Sequence, residues 1–236
     1  MAWFDQNAAD LPWRREPTPY RVLVSEFMLQ QTQRARVAPK FVEFLDRFPT
    51  VESLAAAPLS DVIRAWAGLG YNGRAVRLHR LARTLVESGA GMPSQVERLR
   101  ALPGVGEYTA RAIACFGFGA QEWVVDTNVS RVLRRTVAGE PYPKPRHGLD
   151  SRLASEALPA GQAYAWNSGL MDLGATVCLA QAPRCVRCPL AEVCAARPQI
   201  ALARTEGRPA DRRVAEHPAS YATTGRPHRG GSFTNS

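Results

Sequence analysis

The chain has 236 residues, 45% of them hydrophobic and 22% charged, enough apolar material for one substantial core or two small ones. No apolar run approaches the ~20 residues that cross a bilayer, and the opening MAWFDQNAADLPWRR has no apolar signal segment, so a cytoplasmic location is expected. The net charge of +9 favours a polyanionic partner, nucleic acid first, although seven arginines against three acids after residue 196 supply much of the excess.

In chain order, helical periodicity dominates. Thr18 caps and Pro19 opens a segment in which Val22, Leu23 and Phe27, then Gln30 or Gln31, follow one face. Glu26 falls in its middle, where an acid is ordinarily solvated. Val37, Phe41, Phe44 and Leu45 mark a second helix ending near RFPT. Ser60 is expected to cap a short helix through Val62, Ile63 and Trp66, stopped by the GLGY turn at residues 68–71. Ala75, Leu78, Leu81, Ala82 and Leu85 trace the next helix. After LPGVG a helix covers residues 108–116; after VVDTN another passes through Val129, Val132 and Leu133, with Asp126 as its N-cap. Residues 162–173 give one more. WVV at 123–125 is the best strand candidate and is too short to need a sheet, and no fixed-period repeat occurs. The expected fold class is all-α. Residues 197–236, rich in Arg, Pro, Gly, Ser and Thr, are expected to form a basic flexible tail.

Cys178, Cys185, Cys188 and Cys194 form C-x6-C-x2-C-x5-C. Disulfides are disfavoured because nothing places the chain in an oxidising compartment. Structural zinc more often uses two C-x-x-C knuckles, and only one such pair occurs. Four thiolates wrapped by one short loop suit a cubane iron–sulfur cluster better. Cys115, far from the others, is expected to be a buried small hydrophobe. No flavin or nicotinamide fingerprint accompanies the cysteines, and Arg184 and Arg187 in the loop could face a phosphate backbone.

The stretch LPGVGEYTARAI places Gly104, Val105 and Gly106 just before a helix. Glycines there allow tight turns and close approach to backbone N–H groups, and the helix N-terminus adds positive dipole, which together make an anion cradle. A plain corner between two helices reads equally well from these residues alone. Asp126 and Glu26, each taken singly, read as a cap and a solvated acid.

Several segments in fixed order change that balance: LPWRREPTPYRVLVSEFMLQQTQ, the stretch from FPTVESL to GLGYNGRAVRLHRLA, LPGVGEYTARAIACFGFG, VVDTNVSRVL, and MDLGATVC leading into the cysteine loop. Over residues 11–194 the chain resembles the helix-hairpin-helix DNA glycosylases with an iron–sulfur cluster, and among them the adenine DNA glycosylases of the MutY type. The resemblance implies a six-helix barrel over about residues 14–126 that carries the hairpin. It also implies a cluster lobe made of residues 1–13 and 127–196, with a [4Fe-4S] cluster on the four cysteines.

The implied activity is release of adenine opposite 8-oxoguanine or guanine in double-stranded DNA, by a monomer that engages no membrane. Glu26 would be the general acid and Asp126 the carboxylate facing the sugar cation, with Asn128 as its partner. Gly104, Val105 and Gly106 would grip a phosphate. Gln31 and Tyr71 resemble the residues that wedge beside the opposite base, and Thr32 a contact to that base. Trp13, Arg14 and Leu29 resemble the adenine pocket. Tyr108 stands where the endonuclease III type has a nucleophilic lysine; it cannot form a Schiff base, and it is expected to hydrogen-bond near Asp126.

The chain departs from the pattern at Asn72, where a second aromatic often follows GLGY, and at Ser168, where a longer polar residue often completes the pocket. Only 40 residues follow the cluster region, where many such enzymes continue into an 8-oxoguanine-reading domain. A thymine or uracil glycosylase acting on mismatches with guanine, and a catalytically idle DNA-scanning module, are the alternative readings.

Overall fold

Helix starts follow local chemistry closely. In the computed structural model, which describes residues 1–144 and 146–205, all regular structure is helical. Two short helices, α1 (Ala2–Asn7) and α2 (Pro12–Arg15), precede α3 (Pro19–Leu29). Thr18 accepts from the Arg21 N–H, and Pro19 fills the first position, where a missing N–H costs nothing. Every residue from Val22 to Met28 is buried, so α3 runs through the core rather than over it. That placement removes Glu26 from solvent.

The inner face of α4 (Arg34–Arg47) is Val37, Phe41, Phe44 and Leu45, as expected. Phe44 meets Trp66 and Phe48 edge-on, with ring centroids 5.9 and 5.0 Å apart. Such aromatic pairs add roughly 0.5–1.5 kcal/mol beyond area burial. A Thr50–Ser53 capping box starts α5 (Val51–Ala56). The next helix, α6 (Leu59–Ala65), begins after Pro58, two residues earlier than a Ser60 cap would place it; the Ser60 hydroxyl instead faces Asp61. α7 (Gly73–Ser88) ends at left-handed Gly89, and α8 (Val96–Arg100) leads into the hairpin.

α9 (Glu107–Ala112) continues as a π-helical turn, Ile113–Gly117, that packs on α3. Gly117 makes this contact possible, because a Cβ there would sit 2.8 Å from Pro19 Cα. Then come α10 (Thr127–Thr136), α11 (His147–Ala157) and α12 (Ala163–Thr176), a 3₁₀ turn at Cys185–Arg187, and α13 (Arg197–Thr205). The expected tail is therefore corrected over its first nine residues: they are helical, and Ile200 is buried. Its remainder, 206–236, lies outside the described residues. WVV at 123–125 forms no strand.

Buried side chains gather into one large core running from Trp13 to Ala114 and a second running from Val125 to Val177. A small cluster of Ala112, Cys115, Val124 and Ala163 lies at their junction. Cys115 is buried there, as expected, with the Asn167 amide 3.4 Å from its sulfur. No described helix is long and apolar enough to cross a membrane.

Candidate active site

Two carboxyls 100 positions apart in sequence act on each other in the fold. Glu26 is only 9% exposed, and its pKa is pushed up from 4.5 to about 8. Burial is the main cause, the Asp126 charge adds to it, and a hydrogen bond from Tyr108 opposes it. The Tyr108 phenol donates to Glu26, which itself lies within reach of the Asp126 charge, because α9 packs directly on α3.

Asp126 caps α10, accepting from the Val129 N–H at 2.7 Å, and takes a second hydrogen bond from Asn128 Nδ2 at 3.0 Å. Burial raises its pKa, against the pull of these two donors and of Arg131. The Asp126 charge is among the causes that raise Glu26 and not the reverse, so Asp126 is the first of the pair to ionise. Burial thus keeps the proton on Glu26 up to about pH 8, beside a carboxyl that ionises before it.

Residues that sequence reasoning passed over fix this pair in place. Arg131 donates to Asn128 Oδ1 (2.8 Å), to the Gly174 carbonyl (2.8 Å) and through Nε to the Cys178 carbonyl (2.8 Å). Hydrogen bonds thus run from Asp126 through Asn128 and Arg131 to the first cysteine of the loop. Gly174 lets α12 approach, since a Cβ there would lie 2.5 Å from Asn128 Cβ. Buried Asn167 accepts from the Val124 N–H and donates to the Glu122 carbonyl, which sets the segment leading into Asp126. The sequence signal was faint: an arginine three residues after Asn128 on one helix face.

Trp13 is buried edge-on to Phe41 with 5.7 Å between ring centroids, and Leu29 is half-buried against the same core. Arg14 is held by Asp172, with Nη1 to Oδ2 at 2.6 Å and Nη2 to Oδ1 at 3.2 Å. Arg34 joins them at 3.0 Å. Burial would raise the Asp172 pKa, but the two guanidiniums outweigh it and hold the carboxylate low. Arg14 is thus neither a solvated charge nor a free donor. Ser168 is buried.

Gln31 and Tyr71 are exposed, and both have left-handed backbone, at φ 56° and 48°. Thr32 is half-buried, its hydroxyl 3.0 Å from an Arg74 nitrogen. In the hairpin, Gly104 has φ +81°, which disfavours any side chain, and a Cβ on Gly106 would meet nothing within 4 Å. Val105 is buried beneath them, an anchor for the turn.

None of the four loop cysteines is in a disulfide, and all four line one cavity, with Val132, Leu173, Val177 and Ile200 among the apolar walls. Fully buried Arg135 ties the loop down through the carbonyls of Leu179 (2.6 Å) and Ala180 (2.7 Å) and lies 3.4 Å from the Cys178 sulfur. Among the described residues no three His, Cys, Asp or Glu side chains converge closely enough to hold a single metal ion as they stand. The donor set, four cysteines lining one cavity, fits a thiolate-ligated cluster.

Residues 24–148 match the family described as HhH-GPD superfamily base excision DNA repair protein. An adenine DNA glycosylase of Mycolicibacterium smegmatis is 43% identical over 233 residues, covering 98% of this chain and 76% of the relative. An adenine DNA glycosylase of Mycobacterium tuberculosis is 46% identical over 199 residues, covering 80% of this chain and 64% of the relative. A solved structure described as a thermostable thymine-DNA glycosylase has a TM-score of 0.78 at 29% identity, over 84% of this chain and 93% of that one.

Proposed function

The chain belongs to the HhH-GPD superfamily of base excision DNA repair proteins, and we propose that it is a monofunctional adenine DNA glycosylase acting, as a monomer, on adenine opposite 8-oxoguanine or guanine. The observation that carries this reading is the proton held on buried Glu26 beside Asp126. Adenine is a poor leaving group until a ring nitrogen is protonated, and a carboxyl with a pKa of about 8 keeps its proton for that purpose at neutral pH.

The base must first leave the duplex. Glu26 then donates its proton to the flipped adenine, the glycosidic bond breaks, and the bonding electrons depart with the base. The sugar is left cationic, and Asp126 supplies the opposing charge. Water adds to the sugar carbon and its proton returns to a carboxylate, which restores the pair. Asn128 and the Val129 N–H orient Asp126. Tyr108 orients Glu26 and offers no amine, so the strand is left uncut.

In this reading the core from Trp13 to Ala114 belongs to the barrel lobe and the core from Val125 to Val177 to the cluster lobe. Gly104, Val105 and Gly106 present N–H groups to a phosphate, Gln31 and Tyr71 enter the base stack, and Thr32 faces the opposite base. Trp13 and Leu29 wall the adenine pocket while Arg14 borders it through Asp172. Cys178, Cys185, Cys188 and Cys194 would hold a [4Fe-4S] cluster. When bound, such a cluster cross-links four points of residues 178–194 into one rigid unit.

The test is single-turnover base release on duplexes carrying adenine opposite 8-oxoguanine or guanine, and thymine or uracil opposite guanine. Adenine release that Glu26→Gln abolishes is the expected result. The thymine-DNA glycosylase likeness supports a second reading; release of thymine or uracil with adenine untouched would establish it. No release from any duplex would leave a DNA-scanning module.

A further inference from the structure

Arg74 is a buried cation without a carboxylate partner among the described residues, 3% exposed and placed at the start of α7. Its hydrogen bonds go to backbone carbonyls and one hydroxyl instead. Nη1 donates to the carbonyls of Phe27 (3.1 Å), Met28 (2.8 Å) and Gln30. Nη2 donates to Thr32 Oγ1 (3.0 Å) and to the carbonyls of Leu69 (3.2 Å) and Gly70 (3.0 Å). One guanidinium therefore closes the C-terminal end of α3, where the helix dipole is negative, and joins the loop after it to the GLGY turn.

These two loops carry the only non-glycine residues with positive φ among the described residues, Gln31 and Tyr71, and both side chains are exposed. Left-handed backbone at such residues persists only where the surroundings enforce it. Arg74 touches both loops, beside a direct Thr32 Oγ1 contact to the Leu69 carbonyl at 3.5 Å, and its guanidinium also lies 5.5 Å from the Tyr71 ring centroid. We propose that Arg74 is a positioning residue that couples the two loops, so that Gln31 and Tyr71 enter the base stack as one unit, at a fixed offset from Glu26 on α3. This rests on the reading of Gln31 and Tyr71 as stack-entering residues. A lysine cannot replace the fork, because three donors on one nitrogen cannot serve acceptors on both sides.

The full chain is tested as wild type, Arg74→Met, Arg74→Lys and Thr32→Val. Adenine release is measured in single turnover on an intact duplex and on one with an abasic analogue opposite the adenine, where the stack is already open. A 2-aminopurine beside the opposite base reports unstacking on binding. Arg74→Met should lose about ten- to a hundredfold on the intact duplex and regain most of it on the opened one, with a weaker 2-aminopurine signal and an unmoved alkaline limb of the pH–rate profile. Arg74→Lys should follow it, and Thr32→Val should show the same pattern more weakly.

An equal loss on both duplexes, no loss, or a full 2-aminopurine signal would overturn the coupling. If circular dichroism shows Arg74→Met unfolded, Arg74→Lys and Thr32→Val decide on the same criteria. If the wild type releases no adenine, the functional reading fails, and the 2-aminopurine signal alone decides the role of Arg74.

Discussion

Glu26 keeps its proton because the buried face of α3 denies it water, not because of anything in its own side chain. The chemical consequence is an alkaline limit. The group must be protonated to act, so single-turnover release should fall as pH rises through about 8. Tyr108 donates to Glu26 and lowers its pKa; Tyr108→Phe removes that pull and should move the limb upward. A downward shift in the measured pH–rate profile would contradict the contact. The thermodynamic consequence has a definite sign. A carboxyl with its folded pKa raised to about 8 contributes stability that is fully present below the ordinary value of 4.5 and lost as pH climbs through the folded value. Glu26→Gln cannot ionise, so relative to wild type it should gain ~1–4 kcal/mol between about pH 5 and pH 9. Urea denaturation at the two pH values measures it.

Between elements, close approach decides more than charge. Gly174 on α12 faces Asn128 on α10, and Asn128 in turn holds Asp126. Gly174→Ala would place a methyl 2.5 Å from Asn128 Cβ, which backbone movement alone can relieve. The expected outcome is a loss of about 1–3 kcal/mol in denaturation, from overpacking, with base release falling further than duplex binding. Unchanged release would show that the Asn128–Asp126 geometry tolerates the shift. α3, α4, α7 and α10 run close to where the apolar spacing puts them, because several turns display their period, whereas α11, of similar length, was not legible from its spacing. The short α1, α2, α5 and α8 offer too few turns for a period to show, and packing rather than propensity holds them. The first part of the expected tail is helical for a similar reason, since Ile200 finds an apolar wall beside the cysteine loop.

Across the whole molecule, the cysteine loop and the acids are joined by hydrogen bonds through Arg131, and Arg135 braces the loop from beneath. The purified protein should be brown and contain about four irons per chain. A colourless protein with stoichiometric zinc would overturn the cluster assignment. Cys188→Ser should lower iron content and duplex affinity more than it lowers the rate of bond breaking in bound complexes, because no cysteine lies among the groups that touch the acids. Metal analysis and a binding isotherm measure the two effects separately.

The residue types the chemistry needs, their order, the Thr18–Pro19 start of α3, the cap at Asp126 and the cysteine spacing were all legible along the chain, since each depends on a few neighbouring positions. The sequence by itself thus determined an all-α chain and a roster of candidate groups. It could not determine which acid holds a proton, that Tyr108 turns to Glu26, that Asp172 claims Arg14, or that one arginine spans the loops of Gln31 and Tyr71. Those are properties of neighbours brought together from distant positions. Burial, and the electrostatics that burial amplifies, exist only once α3, α9, α10 and α12 have packed.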